Sequence, residues 1–188
     1  MNAKLVATVR WRALDREGHD TCRLSQTDDG WMLVGHAEFR DQLGQAELNY
    51  IVRCDQAWCT QSVDLAGRHG QHNVRAKILQ DDGTWWFGDR EQTAVSGARD
   101  IDLSFTPATN LMPLRRLTSD PMPVAAAWFQ YPCAKLVPLD QTYARSDMDG
   151  TVSYHADQTG FAADLTVDRS GFVVLYPDHW AGEVTHAD

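Results

Sequence analysis

Gly-Ala-Arg-Asp-Ile-Asp-Leu-Ser-Phe-Thr-Pro-Ala-Thr-Asn-Leu-Met-Pro-Leu-Arg-Arg-Leu, residues 97–117, changes its hydrophobic period halfway along. In the first half Ile101, Leu103 and Phe105 alternate with Asp100, Asp102 and Ser104, the two-residue period of a strand that presents apolar side chains on one face and polar ones on the other. After Thr106-Pro107 the apolar residues fall three apart at Leu111, Leu114 and Leu117, which predicts a short helix capped by Thr109 or Asn110. Pro113 then belongs in its first turn, where a missing backbone donor costs little. Arg115 and Arg116 suit its last turn, where cations oppose the helix dipole.

Outward from this stretch the chain reads as short strands. Residues 4–12 alternate and pair back through 20–26 as an opening hairpin. Asp28-Asp29-Gly30 turns the chain into 31–39, a strand partly apolar on both faces and so placed in mid-sheet, with Gly35 marking a bend or close backbone approach. Residues 47–54 and 58–65 form a further antiparallel pair, in which Trp58, Thr60, Ser62 and Asp64 share one face. Asp81-Asp82-Gly83 joins 73–80 to 84–87. Beyond the helix, 124–131 is an apolar run suited to burial on both faces; 136–145, 151–156, 161–167 and 172–177 follow. The sum is about a dozen strands or more, and sheets of that size curl. The fold class is mainly β, a large curved antiparallel sheet wrapped around a single α-helix.

The 188 residues, 43% of them hydrophobic, suffice for one sizeable core, and no linker divides them, so 1–188 is expected to be one domain. A net charge of -9, from 26 acids against 17 bases, argues against a nucleic-acid surface, which needs clustered Lys and Arg. Charge interrupts the N-terminus too early for an export signal, and no run approaches the ~20 apolar residues of a membrane span. A soluble cytoplasmic protein without a transmembrane segment is expected. Cys22, Cys54, Cys59 and Cys133 lack zinc-like spacing and are assigned to packing; Cys54 and Cys59, an odd number apart, would face opposite ways along one strand. No metal or cofactor is expected.

Several stretches resemble the putative glycolipid-binding family, a bacterial group: Tyr50-Ile51-Val52 with Trp58-Cys59-Thr60, Gly83-Thr84-Trp85, Asp100-Ile101-Asp102-Leu103 leading to Thr106-Pro107-Ala108-Thr109-Asn110, Pro113-Leu114-Arg115-Arg116-Leu117, Gln141-Thr142-Tyr143, and Phe172-Val173-Val174-Leu175-Tyr176-Pro177. The resemblance runs from about residue 30 to the end. It implies a many-stranded antiparallel sheet around one helix, a tight homodimer and an acidic pocket. Arg99 departs from the pattern, which usually has a small residue before the first aspartate.

The residues and the resemblance together nominate a glycolipid or sugar-like ligand. Asp100 and Asp102 would accept hydrogen bonds from sugar hydroxyls, Asn110, Arg115 and Arg116 would supply polar groups from the helix, and Trp58, Trp85 and Tyr143 would offer ring faces. Replacing both aspartates with asparagine is expected to lower binding with little change in melting temperature. The same carboxylates read equally as solvated, or as partners of Arg115 and Arg116, and the tryptophans as core filling. Two other classes stay open. One is a glycoside- or lipid-processing enzyme using the aspartates, ~7 Å apart by strand geometry. The other is a structural dimeric scaffold, whose concave side would be filled by side chains.

Overall fold

The computed structural model describes residues 3–132 and 135–187. Its strands are β1 (Lys4–Ala13), β2 (Gly18–Gln26), β3 (Gly30–Asp41), β4 (Gly44–Asp55), β5 (Thr60–His69), β6 (His72–Asp81), β7 (Thr84–Phe87), β8 (Arg90–Glu91), β9 (Asp100–Leu103), β10 (Met122–Gln130), β11 (Lys135–Arg145), β12 (Thr151–Ala156), β13 (Phe161–Val167), β14 (Val173–Tyr176) and β15 (Trp180–His186). They form one 15-stranded sheet in the order β8-β7-β6-β5-β4-β3-β2-β1-β15-β14-β13-β12-β11-β10-β9. Two meanders are thus joined where the first strand pairs with the last, from Ala7↔His186 to Ala13↔Trp180. Every pairing is antiparallel except β9 with β10.

Turn chemistry explains much of this order. Asp82 (φ 44) and Gly83 (φ 80) make the two-residue turn with left-handed backbone that matches strand twist. Tyr50 lies opposite Gly35, and a Cβ at Gly35 would stand 2.0 Å from Tyr50 Cζ, so the glycine admits the ring across the sheet. The 58–65 segment differs from its sequence reading. Its strand starts at Thr60, and Trp58 sits in the preceding loop with φ 65, so no strand face carries Trp58 in line with Thr60. Cys59 shares that loop, and strand parity does not relate it to Cys54. Cys22 and Cys54 are buried; Cys133 lies outside the described residues.

β10 separates two cores. Ala127 and Phe129 face the larger, built mainly from β1 to β7 and the inward residues of β9, while Val124 and Ala126 face a second with Leu139, Tyr143, Val152 and Leu165. The sheet curls far enough that its end strand meets the other meander: Thr60 N donates to Arg99 O at 2.9 Å, and Ile101 N donates to Thr60 Oγ1 at 3.1 Å.

Between the cores lies α1 (Leu111–Arg115), preceded without a break by a 3-10 turn, Pro107–Asn110. Leu111 and Met112 enter the larger core; Leu114 and Leu117 rest on the smaller. Pro113 falls in the first turn and α1 follows directly on Asn110, but the capping bond is made earlier, by Thr106 Oγ1 accepting from Ala108 N at 3.1 Å. Winding begins at Pro107, so Asn110 already has helical backbone and its side chain is free for another partner, while Thr109 Oγ1 accepts from Leu103 N. No helix among the described residues is long and apolar enough to cross a membrane.

Candidate functional site

Parity along β9 holds: Ile101 and Leu103 are core residues, and Asp100 and Asp102 lie on the opposite face. Their surroundings differ. Asp100 is fully buried and gripped by Arg116, whose Nη1 lies 2.9 Å from Oδ1 while Nη2 binds Oδ2. Burial pushes this carboxyl up, and the guanidinium opposes the push. The same Nη1 donates to Trp58 O at 2.6 Å. Asp100 therefore ties β9 to the end of α1 and to the loop before β5.

Asp102 is half-buried and has no cation partner among the described residues. Gln141 Nε2 donates to its Oδ2 at 2.8 Å and also reaches Tyr154 OH at 3.0 Å. Loss of hydration raises its pKa to about 6, the Gln141 bond resists, and the charge of Asp100 adds to the rise. Alongside, Asn110 Nδ2 donates to Tyr143 OH at 2.9 Å. Burial raises both tyrosine hydroxyls well above their ordinary value, so they remain neutral.

This polar row borders a hollow of about 260 Å³, walled by Trp128, Tyr154, Phe161 and Tyr176 and reached by Asp102, Asn110 and Arg16. Tyr154 and Tyr176 meet edge to face with centroids 6.0 Å apart, and Phe161 leans on Tyr176 at 5.6 Å. Across from them the Arg16 guanidinium lies over Phe39 at 4.8 Å and Trp180 at 5.5 Å, its Nε sheltered and without an acceptor among the described residues. Asp15 also lines the hollow and pairs with His179 at 3.4 Å.

A second buried carboxyl lies behind Thr106. Asp20 accepts from Tyr50 OH at 2.8 Å and from the Thr106 hydroxyl, and its Oδ1 has no partner among the described residues. Burial raises its pKa to about 7 against those bonds. It joins β2 and β4 to the turn that enters α1.

The eight residues nominated from sequence are not gathered in one place. Asp102 and Asn110 line the hollow, with Tyr143 buried behind them. Asp100 and Arg116 border a separate depression beside Arg99, and Trp58 and Arg115 border a third with Trp31. Trp85 is core, its Nε1 donating to Ala98 O at 2.9 Å. Sequence reasoning missed Arg16, Gln141, Tyr154, Tyr176 and Asp20. Gln141 had a signal, since parity puts it on the face of Tyr143 two residues on. Arg16, in a turn, had none. Among the described residues no three His, Cys, Asp or Glu side chains gather as a metal-ligand set.

A family model described as putative glycolipid-binding matches residues 8–182. Among solved structures, a DUF1089 family protein from Pseudomonas aeruginosa is 27% identical over 84% of this chain and 89% of its own, with a TM-score of 0.72. A β-barrel-like protein of the domain of unknown function DUF1849 from Brucella abortus, 12% identical, covers 100% of each chain with a TM-score of 0.56 and shares the fold alone. No curated protein matches the chain.

Proposed function

Since the chain belongs to the putative glycolipid-binding family, we propose that it binds the sugar head group of a glycolipid or related amphiphile in the Asp102 hollow, as a binder rather than a catalyst. The observation that carries this reading is Asp102 itself: a half-buried carboxylate with one amide donor and no cation partner among the described residues, facing aromatic walls. An under-paired buried acid is costly, and ligand hydroxyls are suitable donors to relieve it. Arg16 offers N–H donors from another wall, and the rings offer the apolar faces on which a pyranose packs. At about 260 Å³ the hollow is near the lower end of ligand pockets, ~300 Å³, which suits a head group better than acyl chains.

The scaffold alternative calls for a filled concave side, and the open hollow speaks against it. For the enzyme alternative, Asp100 is committed to Arg116 and borders a different depression, so the two aspartates do not converge on one cavity. What favours that alternative is the pKa of Asp102, about 6, with Asp15 in the same hollow. Turnover decides between them. Octyl glucoside below its micellar concentration should raise the melting temperature saturably in the wild type and not in Asp102→Asn, without release of glucose. An equal rise in the variant overturns the binding site; released glucose overturns the binder.

We carry forward from the sequence a cytoplasmic homodimer of one domain. Light scattering at micromolar concentration should give twice the monomer mass, and a monodisperse monomer overturns the dimer.

A further inference from the structure

The loop between β4 and β5 holds a bulky side chain in left-handed backbone. Trp58 has φ 65, a conformation unfavourable for a bulky side chain that persists only where its surroundings over-determine it. They do so here. Trp58 N donates to Asp55 O at 3.1 Å, Cys59 N to Asp55 Oδ1 at 2.8 Å, and Arg116 Nη1 to Trp58 O at 2.6 Å. The result is an indole laid flat on Trp31, centroids 4.2 Å apart and planes 15° apart, with the Arg115 guanidinium 5.1 Å above the Trp58 ring.

These rings form the wall of a cleft of about 220 Å³, separate from the Asp102 hollow, with Val6, Leu24 and Trp31 giving apolar surface and Arg115 and Arg169 standing exposed at its rim. Among the described residues neither guanidinium has a carboxylate partner, in a chain with nine more acids than bases (26 less 17). Besides its place over the Trp58 ring, Arg115 makes one long hydrogen bond among the described residues, 3.5 Å, to Ser170 O. The nearby acid, Asp168, is engaged by His186 at 2.9 Å and by Ser170 N at 2.9 Å. The indole N–H of Trp31 is sheltered and also lacks an acceptor among the described residues.

Two guanidiniums without a carboxylate partner among the described residues, set over an apolar floor, are complementary to an oxyanion joined to a carbon chain. We propose that this cleft is a second binding site, taking a phosphate, sulfate or carboxylate group on Arg115 and Arg169, with its attached chain against Val6, Leu24 and Trp31. The site is independent of the sugar-binding reading. Trp58 is the wedge that fixes the floor, and the three hydrogen bonds that hold its loop keep the stack in place before a ligand arrives.

The test is calorimetric titration with decyl phosphate below its micellar concentration, beside inorganic phosphate and decanol. Decyl phosphate should bind saturably and more tightly than either, with an affinity that falls as salt is added. Arg115→Gln/Arg169→Gln should weaken it about tenfold or more, and Arg115→Lys/Arg169→Lys should recover part of that loss, since a point charge remains without the planar fork. Both side chains are exposed, so the variants are expected to fold, which circular dichroism checks. Equal affinity for inorganic and decyl phosphate overturns the role of the apolar floor. Unchanged binding by the double glutamine variant, or no binding by the wild type, overturns the site.

Discussion

Arg116 closes on both carboxylate oxygens of Asp100, its Nη1 2.9 Å from Oδ1, at a point where the acid has almost no access to solvent. The pair is a clasp between a strand and the residue that ends a helix. Removing the cation alone leaves a buried carboxylate without compensation, which typically costs 3–5 kcal/mol. Arg116→Met should therefore lower unfolding free energy by about 3–5 kcal/mol in urea. A loss under about 1 kcal/mol would mean that the pair is replaced by water or by a neutral acid.

Asp20 gives stability a pH dependence of definite sign. Its folded pKa, about 7, lies above the ordinary 3.8, so between these values the folded chain holds a proton that the unfolded chain has released. The contribution is complete below the lower value and is lost as pH rises through the upper. Asp20→Asn is neutral throughout. In urea titrations, wild type should gain on the variant on going from pH 8 to pH 4; a constant difference would show Asp20 to be ionised in the fold.

Binding in the hollow should have the opposite slope. Hydroxyl donors prefer the ionised form of Asp102, whose pKa is about 6, so affinity for octyl glucoside should rise from pH 5 to pH 7 and level off above. Asp102→Asn should bind weakly and without that slope. The comparison is made by calorimetry in one buffer series.

Gly35→Ala places a carbon 2.0 Å from Tyr50 Cζ, and the ring must move. Movement also disturbs the Tyr50 to Asp20 bond. The expected cost, about 2–3 kcal/mol from overpacking together with a buried polar group left unpaired, is read as a fall in the denaturation midpoint. A midpoint within error of wild type would show that the ring has room to withdraw.

What the sequence disclosed followed the reach of its periodicities. Alternation placed Ile101 and Leu103 inward and both aspartates outward, and the apolar run around Ala126 and Ala127 did serve two cores. It could not show that neighbours two residues apart on one face, Asp100 and Asp102, meet different partners, because Arg116 and Gln141 arrive from other elements. Asn110 does stand at the N-cap position of α1, but the capping hydrogen bond is made by Thr106, because winding starts one turn before the apolar spacing changes. β15 went unseen because its residues are mostly half-buried and do not alternate cleanly. Trp58 looked like a strand residue, and only the backbone reveals its left-handed turn.

The pairing of β1 with β15 sets a timetable for synthesis. The opening meander can zip up through neighbouring hairpins as it leaves the ribosome, but one margin of β1 stays unsatisfied until residues 180–186 have been made. Contacts that span so much of the chain are slow to form. In that interval the half-made protein carries an open strand able to recruit another nascent copy.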